Sequence, residues 1–496
     1  MPATKVSRRA FLQGLLPVVA STVLAGCVPK IVKETVIVEG APKVVKETVI
    51  VEGAPKVVKE TVIVEGAPKV VKETVIVEGA PKVAPAEKIK LLVWTHDVSI
   101  QIEYTKGLIK QFTEKMPNVE IEYTQLPSAD MQRQLVIAMA AGTGPDVFNS
   151  EDSVYPMWAS KGLVAPLDPV GFGKNSIAEV VELYHESALT QLWDKDRNVL
   201  YGIPIEWAVL SLFYHVPTFK EVGLDPTAPP QDWVTLTEMA QKLTKRDAQG
   251  NIIRPGFQQW YGSDPGWPLF TPHAMMVQRG AGVLSPDGKE CIINEPEAIE
   301  AVQLLTDWTT KYKVSQPGWA IPGQAGGPFG EFIGGSRPFW VIGPFLPPIL
   351  QMLDPKFVYK EDWDIAPFPQ WPAGINKREA THCWRWALFM SARCRHKTEA
   401  SALIAEWGGD WKGILKVKGD IPSVKGWEND PSIVGKPWMA TVMKDLQRGV
   451  PIFATPQFQE IGSQAAEMIE RVYAGQSVKA AADEAKQKID AILKAK

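Results

Sequence analysis

The run "KIKLLVWTH", residues 88–96, is β-rich, and its length fits a buried strand. The next fifty residues decide the kind of sheet it enters. "SIQIEYTKGLIKQFTEKMP", residues 99–117, places Ile102, Leu108, Ile109 and Phe112 on one helical face, and Pro117 ends the helix. "NVEIEYTQLP", residues 118–127, alternates apolar and polar side chains as a second strand does. "DMQRQLVIAMAAG", residues 130–142, predicts a helix that stops at Gly142, and "PDVFNS", residues 145–150, a third short strand. The β-α-β-α-β order predicts an α/β fold with a mainly parallel, helix-covered sheet. Ligands of such sheets collect beyond the carboxyl ends of the strands. Attention therefore falls on residues 94–97 and 149–152.

Further along, the motifs become specific. "GTGPDVFNSEDSVYPMWASKGLVAPLD" (142–168), "YGIPIEWAVLSLFYHVPTFKEVGLDPTAPPQDWVTLTEMAQKLT" (201–244) and "FGEFIGGSRPFWVIGPF" (329–345) occur in that order, followed by "WDIAPFP", "WALFMSARCRHKTEASALIAEW" and "GQSVKAAADEAKQKIDAIL". Each is weak alone. Their collinearity, from about residue 88 to the end, resembles the extracellular solute-binding proteins of bacterial carbohydrate ABC importers. His215 stands where that family commonly has Asn, and Arg337-Pro338-Phe339 replaces its usual small residues. The resemblance implies a two-lobed, type II Venus-flytrap fold that closes on its ligand about a hinge. It places the crossings near residues 201–214, 339–345 and 391–396. The amino-terminal lobe would then comprise 88–207 and 342–392, and the carboxy-terminal lobe 208–341 and 393–496. A membrane-embedded ABC permease is the implied partner, and a monomer the implied state.

Eighteen tryptophans are many for 496 residues. Core packing explains most tryptophans, but several sit where a ligand would. Trp94 ends the first strand, and Trp207 lies in the first expected crossing. Trp260 and Trp267 lie in the Gly- and Pro-containing "QQWYGSDPGWPLF". Trp340 and Phe345 flank "VIGP" and compete for the aromatic position of the family's "GPW"-like element. Trp384 and Trp386, two apart, share one face of a strand, with Arg385 on the other. A pyranose offers apolar C–H faces to an indole and hydroxyls to fixed polar groups, the combination that ligand sites generally provide. His96, Glu151, Asp152 and Glu206 are the candidate polar contacts, because carboxylates accept hydroxyl hydrogen bonds with charge assistance. Helix capping is the alternative role for the acids. The expected ligand is a sugar or short oligosaccharide, with a peptide, polyol or other polar solute, or a carbohydrate-binding surface adhesin, as alternatives.

Other classes fit poorly. Adjacent Glu151 and Asp152 would point to opposite faces of a strand, a poor acid–nucleophile pair. There is no GxSxG, HExxH or P-loop signature, so no enzyme is expected. Six scattered histidines predict no metal site, and no cofactor is expected. A net charge of -3 argues against nucleic acid as a partner.

The beginning of the chain is different in kind. Arg8 and Arg9 precede a short apolar run, and "LAGC" ends at Cys27. Residues 1–27 resemble an export signal of twin-arginine type with a lipobox, which implies cleavage, a lipidated Cys27 and a membrane anchor on the outer face of the cell. Cys291, Cys383 and Cys394 then remain, enough for one disulfide at most, and simple buried thiols are expected. Residues 28–87 hold four thirteen-residue units, 30–81, three of them the identical "KVVKETVIVEGAP". Each has two Lys and two Glu, β-branched residues that disfavour helix, and a Pro that forbids a continuous one. These features predict an extended stalk, reaching on the order of 170 Å at about 3.3 Å per residue. A passive tether and self-association through the valine-rich strands are the alternatives.

Overall fold

The computed structural model describes residues 88–96, 101–258, 267–316 and 327–495, together with three short strands between residues 48 and 75. The chain divides into two units, Met1–Pro85 and Ala86–Lys496. Residues 1–27, with the twin-arginine motif and Cys27, lie outside the described residues.

In the first unit, the strands Thr48–Val49, Val57–Val62 and Val71–Val75 fall one to a repeat and pair antiparallel. The β-rich reading of the repeat holds, but adjacent units fold back on one another, which shortens the fully extended reach. Thr48 pairs with Val58, yet Thr61, its equivalent thirteen residues on, pairs with Lys72 rather than Val71. Two strand pairings of the same sequence thus differ by one residue in register.

The second unit begins with the expected alternation: β1 (Ile89–His96), α1 (Ile102–Lys115), β2 (Val119–Leu126), α2 (Ser128–Ala141) and β3 (Val147–Glu151). Ile89, Leu91 and Val93 of β1 are buried while Lys90 is exposed, the period-2 pattern of a strand with one face in the core. Leu108 and Phe112 seat α1 on that core. Gly142 ends α2 at φ 75°, the left-handed conformation that glycine adopts without a Cβ clash. β1 runs parallel to both β2 and β3.

Two long strands complete this sheet and carry the chain out of it. β4 (Gly202–Val209) is separated by Leu210 alone from β5 (Ser211–His215). After α3 (Trp267–Gln278) come β6 (Phe339–Ile342), β7 (Trp363–Ala366) and the eleven-residue β8 (Thr381–Ser391). The larger sheet has the order β4-β8-β3-β1-β2, with β8 antiparallel to both neighbours, and the smaller sheet β6-β5-β7. Every residue of β8 is buried, as in a strand covered on both faces. Next come α4 (Lys397–Gly409), α5 (Met439–Gln447), β9 (Gly449–Val450), α6 (Phe458–Tyr473) and α7 (Val478–Lys494).

These pairings correct the expected lobe boundaries. β7 lies against β5, so the chain is still in the smaller sheet at Ala366 and returns to the larger one only at Thr381. The boundary at 342 fails because the chain after β6 turns through the helix Leu346–Leu353 and comes back beside β5. At the other end, α4 packs on β4 and β8 and belongs with the larger sheet, so the departure expected at 391–396 occurs beyond Gly409.

Candidate binding site on one face of β8

The expected positions at the carboxyl ends of β1 and β3 meet the middle of β8. Trp386 lies opposite Glu151 of β3 on one side and Glu206 of β4 on the other. Residues directly opposite across a ladder share a face, so Glu151, Trp386 and Glu206 stand abreast. The His96 ring lies 4.0 Å from the Trp386 ring. His382, Trp384 and Trp386 follow one another on the same face of β8 by strand alternation. Trp384 stacks near-parallel on His382, 5.8 Å away at 9°, and on Phe270 of α3 at 5.5 Å. Phe345 meets Trp384 edge-on at 6.4 Å. Gly343 makes room for this: a Cβ there would lie 2.6 Å from the Phe345 ring and 2.9 Å from Trp384.

The polar groups gather beside Trp386. The Lys418 ammonium donates to Glu206 Oε1 at 2.5 Å, and His96 Nε2 lies 3.8 Å from the same oxygen. Asn149 orients the imidazole. Its Oδ1 accepts the His96 backbone N–H at 2.9 Å, so its amide nitrogen faces His96 Nδ1 at 2.6 Å. Nδ1 must then accept, and in the neutral ring the proton sits on Nε2, towards Glu206. Burial pushes the Glu206 carboxyl up, but Lys418 and then His96 outweigh it and hold the group below the usual glutamate value. Asp420 is held well above the usual aspartate value, by burial first and then by the Glu206 charge, with Lys418 opposing. Its Oδ1 is buried without a hydrogen-bond partner.

The remaining expected positions divide. Trp94 is half-buried on the same face of β1 as His96 and packs against the core. Asp152 is bound to Arg385 at 2.7 Å, and Arg385 lies over the Trp207 ring at 5.7 Å, all on the opposite face of β8. Burial raises the Asp152 carboxyl and Arg385 counters it. Trp340 is enclosed within the smaller sheet's core by Phe329, Phe332 and Arg337. The chain turns at Gly343, which carries Phe345 rather than Trp340 to the aromatic face, so of the two competitors only Phe345 meets Trp384. Trp260 lies outside the described residues, and Trp267 opens α3. Cys291, Cys383 and Cys394 are free and buried, and burial pushes the Cys291 and Cys383 thiols up to about 11.

Sequence reasoning missed Lys418, Asp420, His382 and Phe270. His382 was within reach, two residues from Trp384 on the same strand. Lys418 lies 212 residues from Glu206, on a π-helical turn, Ile414–Lys418; such turns are frequent at functional sites, but no sequence period announces one. Two surface cavities, about 310 Å³ beside Phe112 and Phe172 and about 460 Å³ beside Met157 and Pro456, involve none of these side chains. Among the described residues no cluster of His, Cys, Asp and Glu could hold a metal ion, and no helix is long and apolar enough to cross a membrane.

Known proteins share this architecture. The chain is 21% identical over 364 residues to a maltotriose-binding protein of Pyrococcus abyssi, covering 70% of each. It is 23% identical over 229 residues to the sn-glycerol-3-phosphate-binding periplasmic protein of Shigella dysenteriae, spanning 43% of this chain and about half, 48%, of that one. A solute-binding protein of an ABC transporter from Thermotoga lettingae, solved with α-D-tagatose, superposes with a TM-score of 0.71 at 21% identity, covering 82% of this chain and all of that one. Maltose-bound MalE3 of Thermotoga maritima does so with a TM-score of 0.67 at 19% identity, again over 82% of this chain and all of that one. The fold is therefore the two-lobed one of sugar-binding proteins. The profile of bacterial extracellular solute-binding proteins matches residues 99–410, more than half of the chain, and the chain belongs to that family.

Proposed function

We propose that the protein captures an uncharged carbohydrate, a sugar or short oligosaccharide, between its two sheets and delivers it to an ABC permease, working by binding rather than catalysis. The observation that carries this is the face of β8. Trp384 and Trp386 offer indole surfaces, and His96, Glu206, Lys418 and Asp420 offer hydrogen bonds beside them. The buried cations Lys418 and Arg385 are already matched, Lys418 by Glu206 and Arg385 by Asp152. A phosphate would have to compete with these carboxylates, which disfavours a solute such as sn-glycerol 3-phosphate despite the resemblance to its binding protein. Residues 1–27 suit an exported lipoprotein held at the outer face of the membrane through Cys27, acting as a monomer. Residues 28–87 then hold the body away from the surface.

The test is a thermal-shift screen followed by calorimetry with maltose, mannobiose, tagatose and sn-glycerol 3-phosphate. A ligand at 100 times its Kd stabilises the folded protein by about 2.7 kcal/mol. Stabilisation by a neutral sugar supports the reading, whereas stabilisation by the phosphate ester alone refutes it. For the anchor, Cys27→Ser releases the protein from membranes, because a multiply acylated residue holds where a bare chain does not. Unchanged retention refutes lipidation.

A further inference from the structure

The crossing segments between the two sheets converge on one buried carboxylate. Asp445, near the end of α5, is fully buried. Ser211 Oγ, the first residue past the β4-to-β5 crossing, donates to its Oδ2 at 2.6 Å. The backbone N–H of Phe368, where the chain leaves β7, donates to both carboxylate oxygens at 3.1 Å. Arg448 closes the cluster: its Nε and Nη2 donate to Asp445 Oδ1 at 2.9 and 2.6 Å, and Nη2 also donates to the Phe368 carbonyl at 2.8 Å. The backbone carbonyl of Arg448 accepts the Thr381 N–H at 3.1 Å, where the chain re-enters the larger sheet. Thr381 Oγ1 in turn donates to the carbonyl of Leu210, the single residue between β4 and β5. Glu379 is the other charge on Arg448, at 3.5 Å.

We infer that Asp445 and Arg448 are positioning residues that clasp the crossing segments and set the equilibrium between open and closed lobes. The inference rests on the reading that the lobes close on a ligand. A hinge works where a few element-terminal residues absorb the change in direction, and here Leu210, Ser211, Phe368 and Thr381 are such residues, all bonded to one another through this pair. Their hydrogen bonds run to the clasp and not to Trp384 or Trp386, so the clasp acts on ligand affinity only through the fraction of protein in the closed arrangement. Apparent Kd is the intrinsic Kd divided by that fraction. Trp386 is 7% exposed in this arrangement, and loosening the clasp shifts the population away from it and towards open.

Asp445→Asn removes the charge and turns an N–H towards another donor. Ser211→Ala removes one arm only and is the variant that folds if the first does not. Spin labels on Ile137, exposed on α2 in the lobe of the larger sheet, and Ile253, exposed in the lobe of the smaller sheet, report lobe separation without ligand and with maltose or whichever neutral sugar the screen identifies. The expected result is a longer, broader distance distribution in the ligand-free variants and a loss of affinity by about threefold to thirtyfold. The factor is the same for every sugar bound, because the intrinsic contacts are untouched. A lowered melting temperature with wild-type affinity and wild-type distances would make the clasp a mere strut and overturn the inference, as would a loss that differs from sugar to sugar. If the wild-type distance does not respond to any ligand, the proposed capture mechanism itself fails, a result separable from the other two.

Discussion

The two faces of β8 carry the same kinds of groups arranged to opposite ends. On one, Arg385 meets Asp152 at 2.7 Å, gives a second hydrogen bond to the Ser187 carbonyl and lies over Trp207. On the other, Glu206 is shared between Lys418 and His96, and a further carboxyl, Asp420, sits beside them with an unpartnered oxygen. Both groups are buried. The first is one acid matched to one base. The second has three acids, Glu151, Glu206 and Asp420, with one lysine and a histidine, and indoles alongside. Arg385 Nε and Trp207 Nε1 on the first face are buried without a partner as well, so what sets the second face apart is its surplus of buried carboxyls, which is costly to stability and typical of functional sites. One strand thus separates a strut from a candidate site by the direction of alternate side chains.

The largest effect is expected on the strut. Arg385→Ala leaves Asp152 charged and buried without its partner, a loss of about 3 to 5 kcal/mol in urea unfolding. Sugar affinity in the protein that still folds stays near wild type. Replacing both partners, Asp152→Leu with Arg385→Met, recovers most of the stability, because exchanging a buried ion pair for apolar side chains is often neutral. The same exchange on the other face, Glu206→Leu with Lys418→Met, abolishes binding. If calorimetry finds both double variants binding equally well, the division between strut and site collapses.

The next effect is on the site. Trp386→Ala removes the ring against His96, and binding weakens by about 1.5 to 4 kcal/mol, as for other aromatic anchors, or at least about tenfold. The ring is buried, so the melting temperature falls as well. Affinity is therefore the deciding measurement. Intact affinity in a destabilised protein would assign Trp386 to the core.

Much of this comparison was legible in the sequence. Period-2 alternation put Trp384 and Trp386 on one face and Arg385 on the other, and the β-α-β-α-β order pointed to His96 and Glu151 at strand ends. What it could not give is what arrives from far along the chain. Lys418 and Asp420 come from a segment more than 200 residues past Glu206 with no apolar period, and Asp445 gathers Ser211 and Phe368 through contacts that leave no local pattern. The lobe boundary at 342 was misread because the aromatic "GPF" motif marks the end of a strand near the site, not a passage between sheets. Trp340 packs in the smaller sheet's core; a motif gives the neighbourhood of a ring but not the side of the strand on which it lies.

The smallest expected effect separates the two faces by their pH response. Asp420 is raised by burial and by the charge of Glu206, against the pull of Lys418. A group whose folded value lies above its unfolded one, about 3.9 for aspartate, contributes stability that is fully present below the unfolded value. That contribution is lost as pH rises through the folded value. Glu206 has the opposite sign: its folded value is depressed, so its contribution is present above its unfolded value, near about 4.3, and is lost as pH falls through the folded one. Asp420→Asn keeps the shape and removes the titration. The variant's melting temperature should then decline less than that of the wild type as pH rises from acid towards neutrality, while its acid limb, set in part by Glu206, remains. Parallel melting profiles in wild type and variant across that range would mean that Asp420 is ionised in the folded protein. Its carboxyl would then be a second counter-charge to Lys418, and the site face would be balanced in the same way as the strut.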